Sequence, residues 1–152
     1  MIWQDPSLPL RMTMLMKYHK LTTYTDGGAR GNPGPAALGV VIKDGAEIVE
    51  AYGRYIGATT NNIAEYSAVL SALERCKELG ADEVEMRMDS ELVVKQMNGE
   101  YRVKNPGLAQ IYLKIHNVKT GFKKVTFHHV RREQNAAADE QVNLAIDRHF
   151  AR

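Results

Sequence analysis

The sequence predicts one α/β domain, a mixed five-stranded sheet in which an antiparallel meander is continued by parallel strands, with helices flanking it. Three observations predict this. Three apolar-leaning segments follow one another early in the chain, with Asp44-Gly45 between the second and third, a hairpin signal. Beyond residue 60, segments of helical and strand periodicity alternate, which favours parallel strands joined by crossover helices. The chain has 152 residues, 44% of them hydrophobic, which fits a single domain able to bury a core.

The elements follow in order. Residues 21–25 read as a strand ending at Asp26, followed by a Gly- and Pro-rich turn. Residues 36–43 and 46–55 form the next two strands around the Asp44-Gly45 turn. Thr59-Thr60-Asn61-Asn62 supplies N-cap chemistry for a helix. Its apolar residues recur at helical spacing from Ala64 to Leu79, and Gly80 closes it. Residues 84–88 alternate as a fourth strand ending at Asp89. Ser90 can cap a short helix reaching Met97, stopped by Asn98-Gly99. A helix over residues 106–120, a fifth strand over 125–130 and a last helix over 135–149 complete the pattern. In the helix over 106–120, Ile111, Leu113, Ile115 and Val118 are expected in the core.

Residues 1–19 stand apart as a poorly ordered or adventitious extension, with residues 20–152 as the domain; the alternative is an extra turn packed on it. Met1, Met12, Met14 and Met16 are each a possible start. The stretch lacks the apolar core and small-residue cleavage site of a signal peptide. No apolar run approaches the roughly 18 residues of a membrane span. One cysteine, Cys76, excludes a disulfide framework and a cysteine-rich zinc site and fits a reducing, cytoplasmic setting. No heptad or apolar strip is evident, so a monomer is expected.

The formal charge is +2, but its distribution is uneven. From Leu92 to Arg132 there are nine Lys/Arg and one acid, Glu100, which leaves eleven Lys/Arg and seventeen acids for the remainder. A basic segment beside acid-bearing ones suits a protein that grips a polyanion and performs metal chemistry on it. A solvated lysine-rich face would give the same count.

Four acids stand at element ends: Asp26, Asp89, Glu65 near the start of the first long helix, and Asp139 in the first turns of the last. Strand ends at one edge of an open α/β sheet are where such folds build sites. Any one of these acids alone reads as a turn former or helix cap. Four that converge repel unless a cation sits among them. Oxygen ligands without Cys or a His cluster favour Mg²⁺ or Mn²⁺ over Zn²⁺, and paired ions suit in-line phosphodiester hydrolysis.

Four blocks, YTDGGARGNPGPAALG, TTNNIAEYSAVLSAL, MDSELVVKQMNGEYRVKNP and HHVRREQNAAADEQVNLAID, occur in the order found in the type 1 ribonuclease H family, which the chain resembles from Leu21 to Asp147. The resemblance implies a ribonuclease H-like mixed sheet. It also implies an endonuclease that cuts the RNA strand of RNA–DNA hybrids with two metal ions, leaving 5′-phosphate and 3′-hydroxyl ends. Asp26, Glu65, Asp89 and Asp139 match the family's metal-binding catalytic acids. Asn32 and Asn62 match substrate contacts, with Asn61 beside them. Ser90, Arg131 and Arg132 join the expected substrate-binding set, with Ser90 equally a cap; Lys95, Arg102 and Lys104 are further candidates for phosphate contacts. The Gly-rich turn after Asp26 is expected to admit nucleic-acid backbone.

Three departures from the family pattern stand out, the first of which resembles the family's shorter subgroup. The connection over residues 99–106 replaces a basic, Trp-rich protrusion, and the only tryptophan is Trp3. The loop Arg131-Arg132-Glu133-Gln134-Asn135 lacks the family's histidine; His128 and His129 lie earlier, on a strand where at most one can face the site. Glu91 stands where a glutamine is common. In this subgroup RNA–RNA duplex is an alternative substrate. The rival readings are a non-cutting binding module, another nuclease or transposase-type enzyme of the wider fold, and an interaction protein with its acids at helix caps.

Overall fold

The computed structural model describes residues 18–151; residues 1–17, most of the expected extension, lie outside the described residues. The elements are β1 (Lys20–Ala29), β2 (Gly34–Asp44), β3 (Glu47–Thr59), α1 (Asn61–Glu78), β4 (Glu83–Met88), α2 (Glu91–Met97), α3 (Pro106–Lys119), β5 (Lys124–His129), a 3₁₀ turn (Arg132–Asn135) and α4 (Ala136–Phe150). They form one sheet in the order β3-β2-β1-β4-β5. The meander is antiparallel, and β4 and β5 join in parallel. The expected fold class is therefore the observed one. Gly45 adopts φ +61° between the paired residues Asp44 and Glu47, as a two-residue hairpin with glycine at its first central position requires.

Alternation along the central strands sorts side chains onto two faces. Leu38, Val40 and Ile42 of β2, Leu21 of β1 and Val84 and Met86 of β4 join one core with Tyr66, Val69 and Leu73 of α1 and Ile115 of α3. Burying each such aliphatic side chain contributes about 1.5–3 kcal/mol. On the other face, Ala37 packs against Val142, Ala145 and Ile146 of α4. The small residue at 37 lets α4 lie low on the sheet.

Two expectations are corrected. β1 does not end at Asp26 but continues to Ala29, because Asp26, Gly27, Gly28 and Ala29 go on pairing with Gly39, Leu38, Ala37 and Ala36 of β2. Its parallel partner β4 does stop there, at the pair Thr25↔Met88. Asp26 is thus the first residue beyond the parallel ladder while still held by the antiparallel one. Leu113 is not core: it is 62% exposed. The buried residues of α3 are Leu108 and Ile115, seven apart on one stripe, and position 113 is turned well away from that stripe.

Gly27, directly after Asp26, and Gly39, the partner of Asp26 across the ladder, serve packing. A Cβ on Gly27 would overlap the Ala64 carbonyl and the Glu65 nitrogen, and one on Gly39 would overlap the Ala138 carbonyl. The space left by the missing side chains is filled by α1 and α4, not left for a ligand. Gly28 differs, since its Cβ would meet Val142 Cγ1 at an ordinary 3.4 Å. Gly27→Ala and Gly39→Ala are each expected to destabilise the fold by about 2 kcal/mol or more through overpacking, and Gly28→Ala to be nearly neutral. Urea denaturation checks this; equal midpoints for all three variants would contradict the packing account.

Candidate active site

The end of the β1–β4 parallel ladder gathers the site. Asp26, still within β1, is the first residue past the ladder's last rung, and Asp89 immediately follows β4. Glu65 comes from the first turns of α1, held against Gly27. Asp139 comes from the first turn of α4, next to the Ala138 carbonyl that rests on Gly39, the strand partner of Asp26. The four expected acids are therefore brought to one end of the sheet. A narrow cleft there is lined by Thr25, Asp26, Glu65, Met88, Asp89 and Ser90, among others.

The electrostatics record this crowding. Burial pushes the Asp26 carboxyl up to about 8, and the charges of Asp89, Asp139 and Glu65, with a hydrogen bond that protonated Asp26 donates to Asp139, push the same way. Glu65 is pushed up to about 7, first by burial and also by Asp89, against a lowering hydrogen bond from Ser90. The Ser90 hydroxyl also caps α2 by accepting from the Val93 nitrogen at 3.3 Å. So Ser90, expected as a cap or a substrate contact, caps α2 and steadies an acid. Glu65 Oε2 is buried with no hydrogen-bond partner.

In the ligand-free chain these acids form no ready-made cage: among the described residues, no three His, Cys, Asp or Glu side chains converge closely enough to hold an ion. The donor set still fits a hard divalent cation. It is all oxygen, burial and the neighbouring acids raise two of its carboxyls, and Glu65 Oε2 is an orphaned buried acceptor, a set that suits a hard cation. The larger concavities lie elsewhere, one between β3 and α1 around Glu50, Arg54 and Arg75, another beside the 99–103 connection. A shallow acid cleft suits a polymer lying across the surface better than an enclosed small molecule.

The other expected residues divide. Asn32 and Asn61 form a clasp: the Asn61 nitrogen donates to Asn32 Oδ1 at 3.1 Å, and the Ala29 nitrogen donates to Asn61 Oδ1 at 2.8 Å. Each spends its side-chain oxygen on joining the end of β1 and the β1–β2 loop to α1. Asn62 is exposed beside them. The cap of α1 is Thr60, whose hydroxyl accepts from Ile63. Arg132 lies 3.9 Å from Asp89 and is 93% exposed, a loose pair of little energetic weight. Arg131 is exposed at the start of the 3₁₀ turn.

Glu91 is drawn off to Lys95, 3.1 Å away, which lowers its carboxyl. Lys95 also sits over the Tyr101 ring at 5.0 Å. His129 is on the Glu91 side, where its charge bears on that carboxyl, while His128 bonds Thr126 at 2.9 Å. Sequence reasoning missed Asn135, a buried side chain tying the last loop to β1. Its only signal was its place one helical turn before Asp139.

Known proteins resemble the chain throughout this region. The family model described as "Reverse transcriptase-like" matches residues 24–145. A bifunctional protein of Mycobacterium tuberculosis is 38% identical over 84% of this chain. The ribonuclease HI of Halobacterium salinarum is 42% identical, also over 84% of this chain. The chain spans only 36% of the first relative's length and 65% of the second's. Among solved structures, LC11-RNase H1, isolated from compost, matches with a TM-score of 0.82 and 50% identity, covering 88% of this chain and 99% of that one. The same protein in complex with RNA/DNA hybrid matches at 49% identity with a TM-score of 0.82, covering 86% of this chain and 99% of that one.

The raised carboxyls have a consequence for stability. The ordinary value for Asp26 is 3.8 and its folded value about 8; for Glu65 the pair is 4.5 and about 7. Between these limits the folded state binds more protons than the unfolded state, so rising pH costs stability. Without metal, the thermal midpoint is expected to fall as pH rises from about 5 to 8. Asp26→Asn should flatten that fall and raise the midpoint at pH 8 by roughly 3 °C or more. A variant less stable than wild type at pH 8 would contradict the assignment.

Proposed function

The chain belongs to the ribonuclease H family, and from that premise we propose that it is an endonuclease hydrolysing the RNA strand of RNA–DNA hybrids, leaving 5′-phosphate and 3′-hydroxyl ends. The observation that carries this reading is the gathering of Asp26, Glu65, Asp89 and Asp139 at one end of the sheet, with a buried carboxylate oxygen of Glu65 left without a partner. A relative bound to RNA/DNA hybrid supports the choice of substrate.

Asp26, Glu65, Asp89 and Asp139 would hold two Mg²⁺ or Mn²⁺ ions. Bound there, the ions would supply an activated water and charge stabilisation on both sides of the scissile phosphate. The chain's own contribution begins with a proton balance. With their carboxyls raised to about 8 and about 7, Asp26 and Glu65 would give up bound protons on taking a cation. The Ser90 hydroxyl orients Glu65. Arg132, exposed beside Asp89, offers a donor to a non-bridging phosphate oxygen.

Asn32, Asn61 and Asn62 rim the site with neutral amides, which can bond 2′-hydroxyls without adding charge. Lys95 is committed to Glu91 and Tyr101, so phosphate grip from the basic segment falls to Arg102, Lys104, Arg131 and Arg132. We take the acting species to be a monomer. No described helix is long and apolar enough to cross a membrane. The free, buried Cys76 suits a reducing cytoplasm, where we place the activity.

An end-labelled RNA–DNA hybrid, with RNA–RNA, DNA–DNA and single-stranded RNA beside it, tests the proposal in Mg²⁺ and in Mn²⁺. Cuts confined to the RNA strand of the hybrid are expected. Asp26→Asn should lower the rate by on the order of 10²- to 10³-fold, the scale for losing one charge-stabilising group. Equal cutting of RNA–RNA would widen the substrate class. Tight, salt-sensitive hybrid binding without cutting in either metal would overturn the enzyme in favour of a binding module.

A further inference from the structure

Asn135 is 1% exposed and stands at the N-cap of α4, where an asparagine ordinarily turns its oxygen onto the helix amides. Here no side-chain cap bond forms. Instead Nδ2 donates to the Thr25 carbonyl at 2.9 Å, across 110 residues of sequence, and Oδ1 is left buried without a partner. A cap bond and a satisfied acceptor are both forgone for one tertiary bond. Sequences break local preferences of this kind chiefly where function demands it. An apolar side chain could fill the same space without leaving an acceptor unpaired. What it could not give is a directed bond to the carbonyl at the last rung of the β1–β4 ladder.

Both ends of that bond adjoin the acid cluster. Thr25 precedes Asp26 and lines the cleft; Asn135 precedes Asp139 by one helical turn. At the same junction the Ala138 carbonyl rests on Gly39, which pairs with Asp26. Gly39 sets how closely α4 can approach, but a helix resting on a glycine can still slide and rotate. The Asn135–Thr25 bond removes that freedom where the two carboxyls meet.

Building on the function proposed above, we propose that Asn135 is a positioning residue: its bond to the Thr25 carbonyl sets Asp139 against Asp26 and thereby sets the affinity of the acid cluster for divalent cations. Calorimetric titration of Mn²⁺ into the wild-type chain, Asn135→Ala and Asn135→Ser tests this, with metal-free thermal melts and steady-state cleavage of hybrid alongside. Asn135→Ala is expected to bind Mn²⁺ about tenfold more weakly or worse, the usual scale for an outer partner of a metal ligand. Its KM for hybrid should stay within about twofold of wild type, its kcat should fall at limiting Mn²⁺, and excess Mn²⁺ should recover it. Asn135→Ser, which keeps a hydroxyl donor, should fall between the two, and it carries the comparison if the alanine variant fails to fold. Wild-type Mn²⁺ affinity in the variant, with only a lowered melting temperature, overturns the inference and leaves the proposed function standing. A wild-type chain that takes up no Mn²⁺ overturns both.

Discussion

The site rests on backbone meeting backbone at two glycines. A helix normally stands off a sheet by the depth of the side chains between them. At Gly27 and Gly39 there are none, so the Ala64–Glu65 peptide of α1 and the Ala138 carbonyl of α4 sit directly on β1 and β2. Gly27 follows Asp26 in sequence, and Gly39 is paired with Asp26 across the ladder. The two helices thus close on the same strand residue from opposite faces of the sheet, each delivering an acid next to the residue that makes contact. Tyr66, whose hydroxyl donates to Gln96 of α2, continues the α1 contact into the core immediately after Glu65.

That geometry works against the stability of the metal-free fold. It concentrates negative charge where burial already disfavours it, and the chain meets the problem by retaining protons and bringing the Ser90 hydroxyl to Glu65. A cation answers the same problem more completely, since it offers charge and coordination at once. The unmet need of Glu65 Oε2 is what links the packing of two helices to chemistry on a phosphate. Around this strained point the rest is conventional. Two apolar layers hold the helices, and Glu50 and Arg75 join the edge strand to α1 at 2.9 Å.

Much of this was legible in the chain. Alternation, the Asp44-Gly45 turn, the Thr60 and Ser90 caps and the four blocks gave the element order, the topology and the gathering of the four acids. What was not legible is what depends on tertiary partners. Asp26 reads as a strand end because Gly-Gly follows it, yet β2 continues to pair with that stretch. Leu113 reads as core because a one-residue offset within a helix is hard to see in a mixed pattern. Gly27 reads as room for a ligand until the helix that rests on it is placed. Asn135 reads only as the start of the last helix, and its tie to β1 shows itself only in the hydrogen bond to the Thr25 carbonyl.

The most direct measurement is a crystal structure of the chain grown with Mn²⁺, with anomalous scattering recorded to locate the ions. The account predicts Mn²⁺ at the end of the β1–β4 ladder, ligated by Glu65 Oε2 together with Asp26, the other two acids drawn toward it, and α1 and α4 unmoved against Gly27 and Gly39. Mn²⁺ bound elsewhere, or acids left apart with Glu65 Oε2 still without a partner, would contradict it.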